Sequence, residues 1–111
     1  MQINKSEVDG VVVIKIEEKR FDASVSPDFK QFTMDVVGEG KDRIVLDLAA
    51  VEFIDSSGLG SLVGILKGIG ADGRLAVSNV PPQARDLLKL TRMDRVLDIH
   101  DTTDQAVASI V

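Results

Sequence analysis

The chain has no cysteine and a single histidine, His100, among its 111 residues. Without thiols there is no disulfide framework, no cysteine nucleophile and no zinc knuckle, and one histidine cannot build a multi-histidine metal site. Positive charge is also scarce: 13 Lys and Arg face 18 Asp and Glu, a formal net charge of -5. That balance argues against nonspecific binding of nucleic acid or of an anionic membrane surface. No run approaches the ~18 apolar residues of a membrane span. The opening Met1-Gln2-Ile3-Asn4-Lys5-Ser6 has neither the apolar core nor the small-residue cleavage site of a secretory signal. The expectation is a cytoplasmic globular protein with no cofactor. With 44% apolar residues there is enough material for one core, so residues 1–111 are expected to form one domain.

What is present alternates between two periodicities. Ile3 opens a short strand, Asp9-Gly10 makes a tight turn, and Val11-Val12-Val13-Ile14-Lys15-Ile16 is β-branched, which predicts a hairpin. Pro27 then stands where a first helical residue would, with Ser26 as the expected cap, and Phe29, Phe32 and Val36 keep helical spacing until Gly38 and Gly40. Strands follow at 43–48, 74–78 and 96–99, and helices at about 57–70, from Pro81-Pro82 onward, and from about Thr102 to Ile110 with Thr102 or Asp101 as cap. The order β-β-α-β-α-β-α-β-α predicts an α/β fold, a mixed and mostly parallel sheet with helices packed on it.

The chain is organised around Val51-Glu52-Phe53-Ile54-Asp55-Ser56-Ser57-Gly58-Leu59-Gly60, where an apolar strand stops at a carboxylate and two hydroxyls and a helix begins. Asp and Ser oxygens accept hydrogen bonds from the free N–H groups of a first helical turn, so the junction reads as a cap. At 100° per residue, Leu59, Leu62, Val63, Leu66 and Ile69 share one face, as in a helix packed on a sheet. The opposite arc carries Ser57, Gly60, Ser61, Gly64, Lys67 and Gly68, with Ile65 at its edge. The glycines at 60, 64 and 68 together oppose helix formation by roughly 3 kcal/mol. They either let a neighbouring helix of the same domain come close or form a flat docking surface for another protein. The opening of the Ser56-Ser57 end onto this face favours the docking surface.

Enzyme chemistries fit less well. Gly58-x-Gly60-x-x-x-Gly64 misses the dinucleotide fingerprint, since Val63 occupies the third glycine position, and there is no Gly-Lys-Ser/Thr phosphate loop. A nucleotide-binding domain remains the alternative from another functional class. Ser56 is not in a Gly-x-Ser-x-Gly elbow, and His100 is far away in sequence. Asp22, Asp47 and Asp55 could meet at strand ends around magnesium, although aspartates near turns are more often capping. Phosphorylation needs no second group from the chain: a hydroxyl at a helix start gains roughly -1.5 to -2 charges beside Asp55.

At Phe53-Ile54-Asp55-Ser56-Ser57-Gly58-Leu59-Gly60, preceded by Ile44-Val45-Leu46-Asp47-Leu48, the sequence resembles the STAS-domain family, specifically the bacterial anti-sigma factor antagonists. Phe21-Asp22 before the first helix is similar to the family's Leu-Asp pair. The resemblance implies a STAS-like fold and a binding switch. The unmodified protein captures an anti-sigma factor that is also a serine kinase, thereby releasing a sigma factor; phosphorylation ends the capture and a metal-dependent serine phosphatase resets it. Carried over, the phosphoacceptor is Ser56. The expected partner surface joins Asp22 and Ser24 to Asp55, Ser57, Gly58, Gly60, Ser61, Gly64, Ile65, Lys67 and Gly68. A constitutive STAS scaffold subunit of a signalling or transport assembly is the alternative within the fold.

Overall fold

The computed structural model describes residues 2–111. β1 (Ile3–Val8) and β2 (Val11–Ile16) form the expected antiparallel hairpin. Asp9 and Gly10 turn the chain with φ of 53° and 81°, the left-handed pair that matches strand twist in a two-residue hairpin. β4 (Arg43–Asp47), β6 (Arg74–Ser78) and β7 (Asp98–His100) continue the sheet in parallel, in the order β1-β2-β4-β6-β7. The central strands are buried on both faces, which is why they read as nearly unbroken apolar runs.

α1 (Ser26–Gly38), α2 (Ser56–Gly68) and α3 (Pro82–Leu90) cover one face of the sheet; their apolar side chains share a core with Val12, Ile14, Ile44, Leu46, Leu75 and Val77. α4 (Thr103–Ile110) alone covers the other face, placing Ala106, Val107 and Ile110 against Val11, Val13, Val45 and Ala76. Among the described residues, no helix is long and apolar enough to cross a membrane.

Three local expectations need correction. Ser26 does not cap α1: the cap position is Val25, Ser26 is buried inside the helix, and the Ser26 and Val25 N–H groups donate to the Asp22 carbonyl at 2.8 and 3.0 Å. The turn before the helix supplies those acceptors from its backbone, leaving no role for a capping hydroxyl. The last strand starts at Asp98 instead of Val96, because Met93–Arg95 coil into a 3-10 turn and the Met93 carbonyl accepts from the Val96 and Leu97 N–H groups. Finally, a second, two-stranded parallel sheet lies outside the expected order. It pairs β3 (Arg20–Phe21) with β5 (Phe53–Ile54) and carries the candidate site.

Candidate functional site

β3 and β5 run side by side, with Arg20 opposite Phe53 and Phe21 opposite Ile54. The Glu52 and Phe53 N–H groups donate to the Lys19 carbonyl at 2.8 and 3.1 Å, and the Asp55 N–H approaches the Phe21 carbonyl at 3.4 Å. Each strand leads directly into one half of the site. Asp22 follows β3, before α1, and Asp55 follows β5, before α2. Two segments more than thirty residues apart in sequence are therefore fixed next to each other by this short ladder.

At the β5 end the cap is a carboxylate. Asp55 has an extended backbone, and its Oδ1 accepts from the Gly58 N–H at 3.0 Å. Ser56 is the first helical residue and is exposed. Because Asp55 takes the capping bond, the Ser56 hydroxyl is left without a hydrogen-bond partner among the described residues. The first turn of α2 contains no acidic residue, so the positive end of its dipole is answered only by Asp55.

At the β3 end, Asp22 folds its own loop. Its Oδ1 accepts from the Ser24 hydroxyl at 2.6 Å and from the Ser24 N–H at 3.0 Å, an Asx turn. The Arg20 Nε approaches Asp22 Oδ2 at 3.4 Å, while its guanidinium lies 4.4 Å from the centroid of the Phe53 ring. The Ser24 hydroxyl and N–H, with a smaller contribution from Arg20, hold the Asp22 carboxyl below its usual value. Ser24 and Ala23 are exposed and Asp22 half-buried, so the loop presents a carboxylate with its charge fixed in direction.

The face of α2 differs from the expected one. Gly58, Ser61 and Ile65 are buried and cannot form an outer docking face. A Cβ at Gly58 would overlap the Phe21 carbonyl oxygen, so glycine is what lets β3 press against the first turn of α2. Ser61 donates to the Ser26 carbonyl of α1 at 3.3 Å, and Ile65 is 0% exposed in the core. A Cβ on Gly64 would lie 2.8 Å from Lys30 Nζ, and one on Gly68 would lie 2.7 Å from Met34 Cε. The stripe of small residues is thus mainly a seam between α1 and α2, the close helix approach within one domain. The physical reason is that α2 packs on α1 as well as on the sheet. Where α1 crosses, Ser61 is buried and Gly64 is half-buried beside the Lys30 side chain, and Leu59, Val63 and Leu66 rotate to half-buried positions. On the outside remain Ser56, Gly60 and Lys67, with Gly68 exposed at its edge and Ser57 half-buried. Lys67 is eleven residues from Ser56, roughly 16 Å along the helix.

The other candidates do not converge. Asp47 accepts from Asn79 Nδ2 and from the Ala49 N–H, both at 2.9 Å, and is engaged separately from Asp22 and Asp55. His100 lies at the end of β7 and pairs with Asp98 at 2.8 Å. Arg20, Phe53 and Gln83 belong to the site and were not singled out by sequence. Gln83 bonds both backbone groups of Ile54. Parallel register across thirty residues and a side chain facing a strand edge leave no periodic signal that could have marked them.

A family model described as the STAS domain matches residues 2–106. Over 105 residues the chain is 33% identical to a Thermotoga maritima protein named as a candidate anti-sigma factor antagonist, covering 93% of this chain and 92% of that one. An anti-sigma factor antagonist from Mycobacterium paratuberculosis superposes with a TM-score of 0.90 at 28% identity, covering 98% of this chain and 92% of that one. At 19% identity, the Bacillus cell fate determinant SpoIIAA in its phosphorylated form shares the fold, with a TM-score of 0.75 over 99% of this chain and 100% of that one.

Proposed function

The chain belongs to the STAS domain family, and on that premise we propose that it is a phosphorylation-switched binding protein. Unmodified, it binds an anti-sigma factor that is also a serine kinase, and so frees a sigma factor in the cytoplasm. Phosphorylation of Ser56 ends the binding, and a metal-dependent serine phosphatase restores it. The observation that carries this reading is the division of labour at the start of α2: Asp55 caps the helix, which spares the exposed Ser56 hydroxyl for transfer. The relatives' names, and the existence of a fold neighbour in a phosphorylated form, point the same way.

The geometry gives the switch a direction. A phosphate on the first residue of α2 adds roughly -1.5 to -2 charges near a helix N-terminus, where the dipole favours anions. The fold should therefore tolerate it. A docked partner would not, because the same charge appears beside Asp55 and Asp22 and must be desolvated in the complex. The partner surface is read as Asp22, Ser24, Asp55, Ser57 and Gly60 around Ser56. Gly58, Ser61 and Ile65 act from beneath it by fixing the backbone.

Calorimetry tests the switch. The unmodified chain and the chain phosphorylated at Ser56 are titrated into the anti-sigma factor/serine kinase of the same bacterium. Phosphorylation is expected to weaken the complex by at least about tenfold, from like-charge and desolvation costs. Equal affinity for both forms would defeat the switch.

A further inference from the structure

β5 consists of Phe53–Ile54, and its two edges are satisfied differently. One edge pairs with β3 through the groups on either side of Ile54. The N–H and carbonyl of Ile54 itself face the other edge. Ile54 is 2% exposed, so water cannot serve those two groups. A single side chain does so instead. Gln83 Oε1 accepts from the Ile54 N–H at 2.9 Å, and Gln83 Nε2 donates to the Ile54 carbonyl at 2.9 Å. Only one of the two carboxamide orientations satisfies both bonds, so the network fixes it. Gln83 thus behaves as a one-residue strand closing the free edge of β5.

The clamp has a rigid mount. Gln83 follows Pro81 and Pro82 at the start of α3, where Pro81 is the extended cap position with φ -67° and ψ 154°. Two consecutive rings restrict φ before the helix and remove N–H groups that would otherwise need acceptors. The side chain therefore leaves a backbone with little freedom. On the other side of the clamp, Asp55 and Ser56 follow Ile54 immediately.

We propose that Gln83 is the positioning residue for Ser56: by holding both backbone groups of Ile54 it fixes the direction in which the chain leaves β5, and so the place where the Ser56 hydroxyl is presented. This rests on the reading of Ser56 as the phosphoacceptor. It extends that reading to a residue on another helix that does not touch the phosphate's path. Of the partner surface, the Asp22 loop is held by its own bonds to Ser24, whereas Asp55, Ser57 and Gly60 follow the clamped Ile54. Loss of the clamp should therefore lower kcat for transfer to Ser56 by a larger factor than it raises KM.

Two variants of the full chain test this. Gln83→Met keeps the length and the apolar stem and removes both hydrogen bonds. Gln83→Glu keeps an acceptor for the Ile54 N–H but has no donor for its carbonyl. Amide exchange at Ile54 and at the capped Gly58 should accelerate at least tenfold in Gln83→Met and less in Gln83→Glu, with Val45 and Leu46 in the central strand unchanged. With the anti-sigma factor/serine kinase and ATP as probe, kcat for Gln83→Met should fall roughly tenfold or more, the scale on which small misplacements act. Unchanged exchange at Ile54 in both variants overturns the clamp, and accelerated exchange with wild-type kcat overturns the positioning role. If the wild-type chain takes no phosphate at Ser56, the phosphoacceptor reading fails, and with it the role of Gln83 in presenting that hydroxyl; the exchange pattern then separates this failure from failure of the clamp.

Discussion

α2 and α4 begin almost identically and end up with different chemistry. In each, an extended polar residue caps the helix by accepting from the N–H three residues on: Asp55 from Gly58 at 3.0 Å, and Thr102 from Gln105 at 3.1 Å. In each, the next residue carries a hydroxyl, Ser56 or Thr103. The Thr103 hydroxyl is half-buried and tied to Ser78 Oγ at 2.8 Å and to Asn79 Nδ2 at 3.2 Å, whereas Ser56 is exposed with its hydroxyl uncommitted. The first turn of α4 contains Asp104 to answer its dipole, while that of α2 has no acidic residue. A polar cap followed by a hydroxyl is therefore not a switch in itself. What surrounds the hydroxyl decides whether it holds the fold or stays free to react.

The third residue of each helix should separate the two most strongly. Gly58→Ala drives a Cβ into the Phe21 carbonyl, a backbone atom that cannot swing aside, and is expected to cost about 3 kcal/mol. Gln105→Ala, at the matching exposed position of α4, should stay within about 0.5 kcal/mol. Denaturant midpoints at constant slope would measure both, and similar costs would break the contrast. The hydroxyls come next. Thr103→Val strands the Ser78 hydroxyl, which is 0% exposed, and should cost about 1–2 kcal/mol, whereas Ser56→Ala should be near neutral. A stabilising change should follow from Gly60→Ala. Nothing lies within 4 Å of a Cβ there, so the helix gains about 1 kcal/mol from propensity, read as a higher melting temperature.

The smallest effect concerns the loop beside α2. Because hydrogen bonds from Ser24 lower the Asp22 carboxyl in the folded state, their stabilisation is present above the ordinary value of 3.8 and is lost as pH falls through the lowered one. A carbon-detected NMR titration should place the Asp22 midpoint below 3.8, and Ser24→Ala should raise it. An unshifted midpoint would mean that the Asx turn does not hold in solution.

Much of this architecture is legible in the residues. The β-branched run of β2, the apolar run of β4, the turn at Asp9-Gly10 and the Thr102 cap carry local signals that tertiary packing does not override. The motif at Asp55 also declares itself, since Asp is a cap by its chemistry. The orientation of α2 does not. Its wheel sorts residues by hydrophobicity, which places Ser61 outside, and the resemblance adds Gly58 to the partner surface, yet both are buried because α1 and β3 come close enough to need small residues there. Neighbour distance, not side-chain polarity, set that face. β3, and its pairing with the apolar run that becomes β5, were equally hidden: two residues cannot show a period of two, and Gln83, a polar residue in the first turn of a helix, looks like any solvated glutamine.

The contrast between the two helix starts comes down to where one phosphate goes. The chain is incubated with its anti-sigma factor/serine kinase and ATP, and the modified position is mapped by fragmentation mass spectrometry. The expected result is a single phosphate on Ser56, absent from the Ser56→Ala variant, with Thr103 and Ser57 unmodified. Phosphate on Thr103 or Ser57, or undiminished uptake by Ser56→Ala, would contradict it.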